Sequence, residues 1–286
     1  MHRLWYITRV NKEKNMDRHQ ALKDFLRQYT DSGIALAFSG GTDSTLLLAV
    51  LAEMYREKPF PLAALSMHSI FQTPEELNEV KKLAAGYAVP LQIFTGDPLQ
   101  IPEVKGNLPD RCYHCKKFIF STFRNYAREH GLAFLLYGTH AGDRNVYRPG
   151  RKALAELGVI SPLAELGMDK PEIRELAKKL KAAVSDKPAA PCLATRFDYG
   201  TLLTPELLKK VSSGEAILRQ YLPENTPLRL RVHGDIARIE IPADAMQGFL
   251  DHREEISRKL QELSFRFITL DLQGFRSGSY DIPGKH

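Results

Sequence analysis

The sequence predicts an α/β chain in which a parallel-sheet domain is followed by a smaller α+β domain, and three observations carry that prediction. Short apolar segments of strand length alternate with longer segments of helical period through the earlier part of the chain, the pattern of βα units and a parallel sheet. The first of these units contains Ala35-Leu36-Ala37-Phe38-Ser39-Gly40-Gly41-Thr42-Asp43-Ser44, an apolar strand that breaks at a glycine pair and restarts as a helix. After about residue 200 the pattern changes to two alternating segments around a His-Gly-Asp turn, flanked by helices. The expected organisation is an extension over 1–16, a parallel-sheet domain over 17–200 and a small α+β domain over 201–286. A chain of 286 residues is long enough for one large and one small core.

The elements follow in order. Asp17 to Tyr29 places Leu22, Phe25 and Leu26 at helical spacing, an amphipathic helix that leads into the strand before Ser39. Leu46 to Leu51 has the composition of a buried helix, and Pro61 to Met67 reads as the second strand. Thr73-Pro74-Glu75-Glu76 combines a capping residue with proline at the first helical position, so a helix opens there. Pro90 to Phe94 is the third strand, Lys116 to His130 the next helix and Ala133 to Tyr137 the fourth strand, closed by Gly138. Ser161-Pro162-Leu163 and Lys170 to Leu176 resemble the corresponding segment of ATP-pyrophosphatase amidotransferases and NAD synthetases, which implies a turn and then a helix. The prolines and small residues from Lys187 to Phe197 forbid a regular helix and form a loop that presents Cys192. Thr204-Pro205 caps a helix to about Tyr221, Leu228–His233 and Asp235–Ile241 make a hairpin, and helices near 243–249 and 253–263 precede a last strand from Phe265 to Leu272.

A parallel sheet binds ligands outside the carboxyl ends of its strands. On that rule Ser39 to Ser44, Ser66 to Ser69, Thr95 to Asp97 and Gly138 to Asp143 converge on one crevice, the candidate nucleotide site. Gly40 and Gly41 let the backbone turn tightly and approach a ligand, while the N-H groups at the start of the following helix face an anion. Ser39 and Ser44 add hydroxyl donors. Asp43 would repel a bare phosphate, so its presence points to a Mg²⁺ ion bridging carboxylate and phosphate. The loop lacks the lysine and the glycine spacing of a Walker loop.

With 43% hydrophobic and 26% charged residues the chain reads as an ordinary globular protein. No apolar run reaches the length of a membrane span, and the block Leu4 to Ile7 is too short for a secretory signal. A cytoplasmic protein without a membrane partner is expected, with Met16 as an alternative start. The net charge of +6 favours anionic partners, yet the basic residues are scattered among acids, so a nucleotide suffices and a nucleic-acid surface is not called for. Three cysteines, two of them as Cys112-x-x-Cys115, do not form a disulfide framework. The pair suits a redox dithiol, part of a zinc site or part of an iron-sulfur site; three unrelated buried thiols are the plainer alternative. His114 inside the pair is badly directed to complete a zinc site. Three thiolates on a four-iron cluster leave one iron open to an exchangeable ligand.

Ser39-Gly-Gly-Thr-Asp-Ser44 after a strand resembles the PP-loop ATP pyrophosphatases, which cleave ATP to AMP and pyrophosphate. With Pro109-Asp-Arg-Cys-Tyr-His-Cys-Lys-Lys117, Tyr147-Arg-Pro-Gly150, Pro191-Cys-Leu-Ala-Thr-Arg-Phe197, Arg229-Leu-Arg231, His233-Gly-Asp-Ile-Ala-Arg-Ile-Glu240 and Gly274-Phe-Arg-Ser-Gly278, the chain from about Asp17 onward is similar to the LarE family. Those are the sulfur transferases that mature the nickel-pincer nucleotide cofactor of lactate racemase. The resemblance implies ATP, Mg²⁺ and a [4Fe-4S] cluster held by Cys112, Cys115 and Cys192, since a branch with Cys192 alone gives up its own sulfur and this chain has the full trio. It implies adenylylation of a carboxylate of pyridinium-3,5-biscarboxylic acid mononucleotide and its conversion to a thiocarboxylate. The implied catalytic residues are Cys192, Asp43, Lys116 and Arg196. Ser39, Gly40, Gly41, Asp43, Ser44, Ser69, Gly138, Arg229 and Arg231 are the implied binding residues. Lys116 would bind an anion near the cluster, and Glu215 and Glu240 are metal or orienting carboxylates or plain structural ones. A homo-oligomer, with a hexamer among its forms, is also implied. Two readings compete: a PP-loop tRNA thiolase, and an iron-sulfur nucleotide sensor without catalysis.

Overall fold

The structure, a computed structural model, describes residues 17–142, 149–182 and 191–276. Along the chain its elements are α1 (Arg18–Thr30), β1 (Ile34–Ala37), α2 (Thr42–Glu57), β2 (Leu62–His68), α3 (Pro74–Tyr87), β3 (Leu91–Thr95), α4 (Pro102–Lys105), α5 (Arg111–Glu129) and β4 (Phe134–Tyr137). There follow α6 (Gly150–Glu156), α7 (Pro162–Glu165), α8 (Lys170–Lys179), α9 (Pro205–Arg219), β5 (Arg229–His233), β6 (Ile236–Glu240), α10 (Ala243–Leu250), α11 (Arg253–Glu262) and β7 (Phe267–Leu270). The described residues divide into two compact units, one of 17–69, 74–96, 112–142 and 149–182, the other of 70–73, 97–111 and 191–276.

The first unit is built on a parallel sheet of order β3-β2-β1-β4. In register, Ile34 lies beside Leu62 and Phe134, and Ala37 beside Leu65 and Tyr137. Every residue of β1 is buried because helices cover both faces. Leu36 joins a core with Leu22 and Leu26 of α1, Leu47 of α2 and Ile173 of α8. Ala35 and Ala37 join an opposite core with Phe120 and Phe123 of α5 and Leu154 of α6. Small alanines on that face leave room for the aromatic rings. The alternation of apolar strands and helices read from the sequence is thus the observed α/β arrangement.

One boundary differs from expectation. Helix α5 begins at Arg111, ahead of the expected Lys116, so Cys112 and Cys115 stand on its first turns rather than in the preceding loop. Nothing in Arg-Cys-Tyr-His-Cys breaks a helix, and Pro109-Asp110 is itself a start signal. Ser161-Pro162 opens the short α7 instead of a plain turn. The extension 1–16, Asp143, Tyr147-Arg148, residues 185–190 of the expected Cys192 loop and Ser277-Gly278 lie outside the described residues.

The second unit carries a sheet of order β5-β6-β7. Strands β5 and β6 form the expected hairpin, with Arg229 opposite Glu240 and Arg231 opposite Arg238, and β7 runs parallel to β6. Leu208, Val211 and Leu218 of α9 and Ile256 and Leu260 of α11 are buried in this unit. A single bridge between Phe197 and Val232 ties the segment after Cys192 to β5. Among the described residues no helix is long and apolar enough to cross a membrane.

Candidate active site

The loop between β1 and α2 stands where the sheet order reverses, since β1 has β2 on one side and β4 on the other. Gly40 takes φ +72°, a left-handed turn that favours glycine, and Gly41 precedes the first residue of α2. Two hydroxyls organise the turn. Ser44 Oγ donates to the Gly41 carbonyl at 3.1 Å and lies 3.3 Å from Ser39 Oγ, while Thr45 N-H closes on the Gly41 carbonyl at 2.9 Å. Ser39 is exposed and Asp43 half-buried, both at the amino end of a 16-residue helix. Such an end offers N-H donors and positive potential to phosphate oxygens, and a carboxylate beside it can hold their metal counterion.

The other strand ends supply the surroundings. Gly138, just after β4, lies so close to this loop that a Cβ there would stand 2.8 Å from Ser44 N and 2.9 Å from the Asp43 carbonyl carbon. Ser69, just beyond β2, is buried. Thr95 ends β3 and Gly96 follows it in the same unit, whereas Asp97 belongs to the second unit and caps a short turn by accepting from Leu99 N-H at 3.0 Å. His68, at the end of β2, was not singled out from the sequence, and its Nδ1 is buried with no hydrogen bond among the described residues.

Lys116 connects the cysteine-bearing helix to the same strand ends. Its Nζ donates to Tyr137 Oη at 3.2 Å and lies 4.5 Å from the Tyr137 ring centre, and Tyr137 is the residue of β4 paired with Ala37 of β1. Cys112 and Cys115, three residues apart on α5, are half-exposed. Between and beside them Tyr113 and Lys117 both hydrogen bond to Glu156 Oε2, at 2.9 and 2.7 Å, which fastens α5 to α6. Lys117 is held well above the usual lysine range by its hydrogen bond to Glu156, and the Glu156 carboxyl is held low by the same bond.

In the second unit Cys192 is exposed and precedes a turn of tight helix over Leu193–Arg196. Arg196 is buried and its fork grips Glu215, Nε to Oε1 at 2.7 Å and Nη2 to Oε2 at 3.1 Å, while Nη1 donates to the Pro191 carbonyl at 3.0 Å. Arg231 donates to Glu240 Oε1 at 2.7 Å and to the Thr195 carbonyl at 2.6 Å. Arg229 stacks on Phe275 and stands 3.6 Å from Glu240. Burial, then the charges of Arg231 and Arg196, push Arg229 below the usual arginine value. Three buried guanidiniums therefore face two carboxylates, and the excess positive charge suits an anion. Glu215 and Glu240 serve as arginine partners here. Among the described residues no three His, Cys, Asp or Glu side chains are gathered closely enough to hold a metal ion.

Residues 14–145 match the family of PP-loop domains. The chain is 38% identical over 259 residues to the pyridinium-3,5-bisthiocarboxylic acid mononucleotide synthase of Lactiplantibacillus plantarum, covering 90% of each. It is 34% identical to an uncharacterised protein of Synechocystis over 85% of this chain and 90% of that one. A tRNA-cytidine(32) 2-sulfurtransferase of Stenotrophomonas maltophilia is 27% identical over 43% of this chain and 41% of its own length.

Proposed function

Because this chain belongs to the LarE family of ATP-dependent PP-loop sulfur transferases, we propose that it adenylylates a carboxylate of pyridinium-3,5-biscarboxylic acid mononucleotide and replaces an oxygen by sulfur. The observation that carries this reading is the Ser39–Ser44 turn at the amino end of α2, closed over by Gly138 where the sheet order reverses. Such a turn binds the phosphates of ATP through backbone N-H groups and the hydroxyls of Ser39 and Ser44, with Asp43 on the accompanying Mg²⁺ and Ser69 beside them. A carboxylate oxygen of the substrate attacks the α-phosphorus and pyrophosphate leaves. The carboxylate has become an acyl-adenylate, whose AMP is a leaving group that a sulfur nucleophile displaces. Charge gathering on the α-phosphate is met by donors already in place, the usual largest share of such catalysis.

Cys112, Cys115 and Cys192 are the residues that would hold a [4Fe-4S] cluster. Their chemistry fits: soft thiolates, none in a disulfide, two of them three apart on one helix turn and the third exposed. Bound there, the cluster would present one iron without a protein ligand to carry sulfide. Lys116, fixed by Tyr137, supplies a cation next to the cysteine turn for an anionic group of substrate or adenylate. Arg229 and Arg231 supply positive charge for the substrate phosphate or carboxylates. Arg196, engaged with Glu215 and the Pro191 carbonyl, positions the Cys192 turn. A cytoplasmic homo-oligomer belongs to the same reading.

The test is product analysis. Incubation with Mg·ATP and the dicarboxylate mononucleotide yields AMP, pyrophosphate and a thiocarboxylate product without added RNA. ADP in place of AMP would sink the pyrophosphatase assignment. A strict RNA requirement would favour the reading as a tRNA thiolase, to which a relative covering 43% of the chain is assigned, and ATP binding with no AMP at all would favour a sensor.

A further inference from the structure

Arg111, the first residue of α5, has no part in the chemistry above, yet it is placed unlike a surface arginine. It is only 7% exposed. Its guanidinium carbon lies 4.5 Å from the centre of the Tyr199 ring, and its Nε and Nη1 are buried with no hydrogen-bond partner among the described residues. The other buried cations differ. Lys23, Arg196, Arg229 and Arg231 have carboxylate oxygens at 2.6, 2.7, 3.6 and 2.7 Å respectively. A cation taken out of water with open donors is costly, because lost hydration is replaced by nothing.

The platform beneath it is built. Asn107, fully buried, donates from Nδ2 to the carbonyls of Phe197 and Asp198 at 3.2 and 2.9 Å, and its main-chain carbonyl accepts Gly200 N-H at 3.2 Å. Both neighbours of Tyr199 are thereby anchored, so the ring stays under the guanidinium. With one face taken by the ring, the donors that remain lie in the guanidinium plane, the geometry that matches a carboxylate or phosphate.

We propose that Arg111 is an oxyanion receptor that takes an oxygen of the pyridinium mononucleotide, from either a ring carboxylate or the phosphate, with Tyr199 as its back plate. The identity of the ligand rests on the function proposed above; the existence of the receptor does not. Calorimetric titration of the wild-type chain, Arg111→Lys and Arg111→Met with pyridine-3,5-dicarboxylate and with inorganic phosphate tests it, with Mg·ATP as control. Affinity for one probe falls about tenfold to hundredfold in Arg111→Met and by less in Arg111→Lys, while Mg·ATP binds as before. The probe that responds identifies the source of the oxyanion. If Arg111→Met does not fold, weakened probe binding by Arg111→Lys alone carries the result.

Equal affinities in all three proteins, or no wild-type binding of either probe, would overturn the receptor. The two readings fail separately. AMP formation by the wild type without any Arg111 dependence of probe binding removes the receptor and keeps the enzyme. Arg111-dependent binding in a protein that makes no AMP from the mononucleotide does the reverse.

Discussion

Asp43 and Gly138 show how closely the candidate nucleotide loop is constrained. Asp43 stands in the first turn of α2, where replacement by asparagine would remove the proposed metal ligand but opens no cavity. Pyrophosphate release by Asp43→Asn is expected to fall about 10²–10³-fold. Its stability should change by no more than about 1 kcal/mol, the scale of a carboxylate at a helix amino end. Turnover at the wild-type rate would show that Asp43 is not the metal ligand. Gly138→Ala acts by geometry instead. The added methyl would sit 2.8 Å from Ser44 N, so the loop must move. Overpacking of this kind costs about 1–3 kcal/mol, and displacement of the loop is expected to lower ATP turnover about 10²-fold, read from melting curves and pyrophosphate assays on the same preparation.

At the scale of elements, charged side chains fix how helices and strands meet. Lys23 of α1 is buried and bridges Glu53 and Glu57 of α2 at 2.9 and 2.6 Å, with His19 on Glu53 at 2.8 Å. The hydrogen bond to Glu57 raises the Lys23 pKa above burial's opposing pull. For Glu53, burial pulls upward, but the Lys23 hydrogen bond and the His19 charge outweigh it and the carboxyl is held low. A depressed carboxyl contributes stability above its unfolded value of about 4.3, and that contribution is lost as pH falls through the folded value. The raised lysine contributes below about 10.4 and loses its share only as pH rises through its folded value. Lys23→Met is therefore expected to be about 1–2 kcal/mol less stable than the wild type near pH 7, with the gap narrowing below about pH 4 in thermal melts. A gap that stays constant from pH 7 to pH 3 would mean packing, not charge, is what Lys23 provides. The hairpin depends on charge more heavily. Glu240 is 1% exposed between Arg229 and Arg231, so Glu240→Gln leaves two buried guanidiniums facing a neutral group. A loss of about 3–5 kcal/mol in urea denaturation is expected.

At the scale of the whole molecule the units alternate along the chain: residues 97–111 lie in sequence between β3 and most of α5, yet they belong with 191–276. The cysteines divide likewise, Cys112 and Cys115 in one unit and Cys192 in the other. If all three serve one cluster, alanine at any of them lowers both iron content and thiocarboxylate formation in anaerobically purified protein. AMP formation persists, because the Ser39–Ser44 loop contains none of them. Iron-free protein with full sulfur transfer, or a Cys192 that loses its sulfur in a single turnover, would reject the cluster and leave sacrificial chemistry.

The sequence by itself determined the succession of strands and helices, because apolar period, glycine pairs and capping residues act within a few positions of one another. It also held the candidate phosphate-binding turn, since Ser39 to Ser44 is a local structure whose proposed donors come from its own backbone. The start of α5 lies at Arg111 and not at the expected Lys116, although Pro109-Asp110 is a start signal and no residue of the cysteine pair opposes a helix. Only the tertiary structure decided the state of the charges. Arg196, Arg229 and Arg231 stand in the sequence as catalytic or binding candidates without partners until Glu215 and Glu240 are brought to them, and Arg111 reads as one more basic residue until it is buried on Tyr199. Asn107 clamps Phe197 and Asp198 from 90 and 91 positions away. Burial and pairing of this kind depend on which distant segments share a core, and no local pattern of residues encodes that.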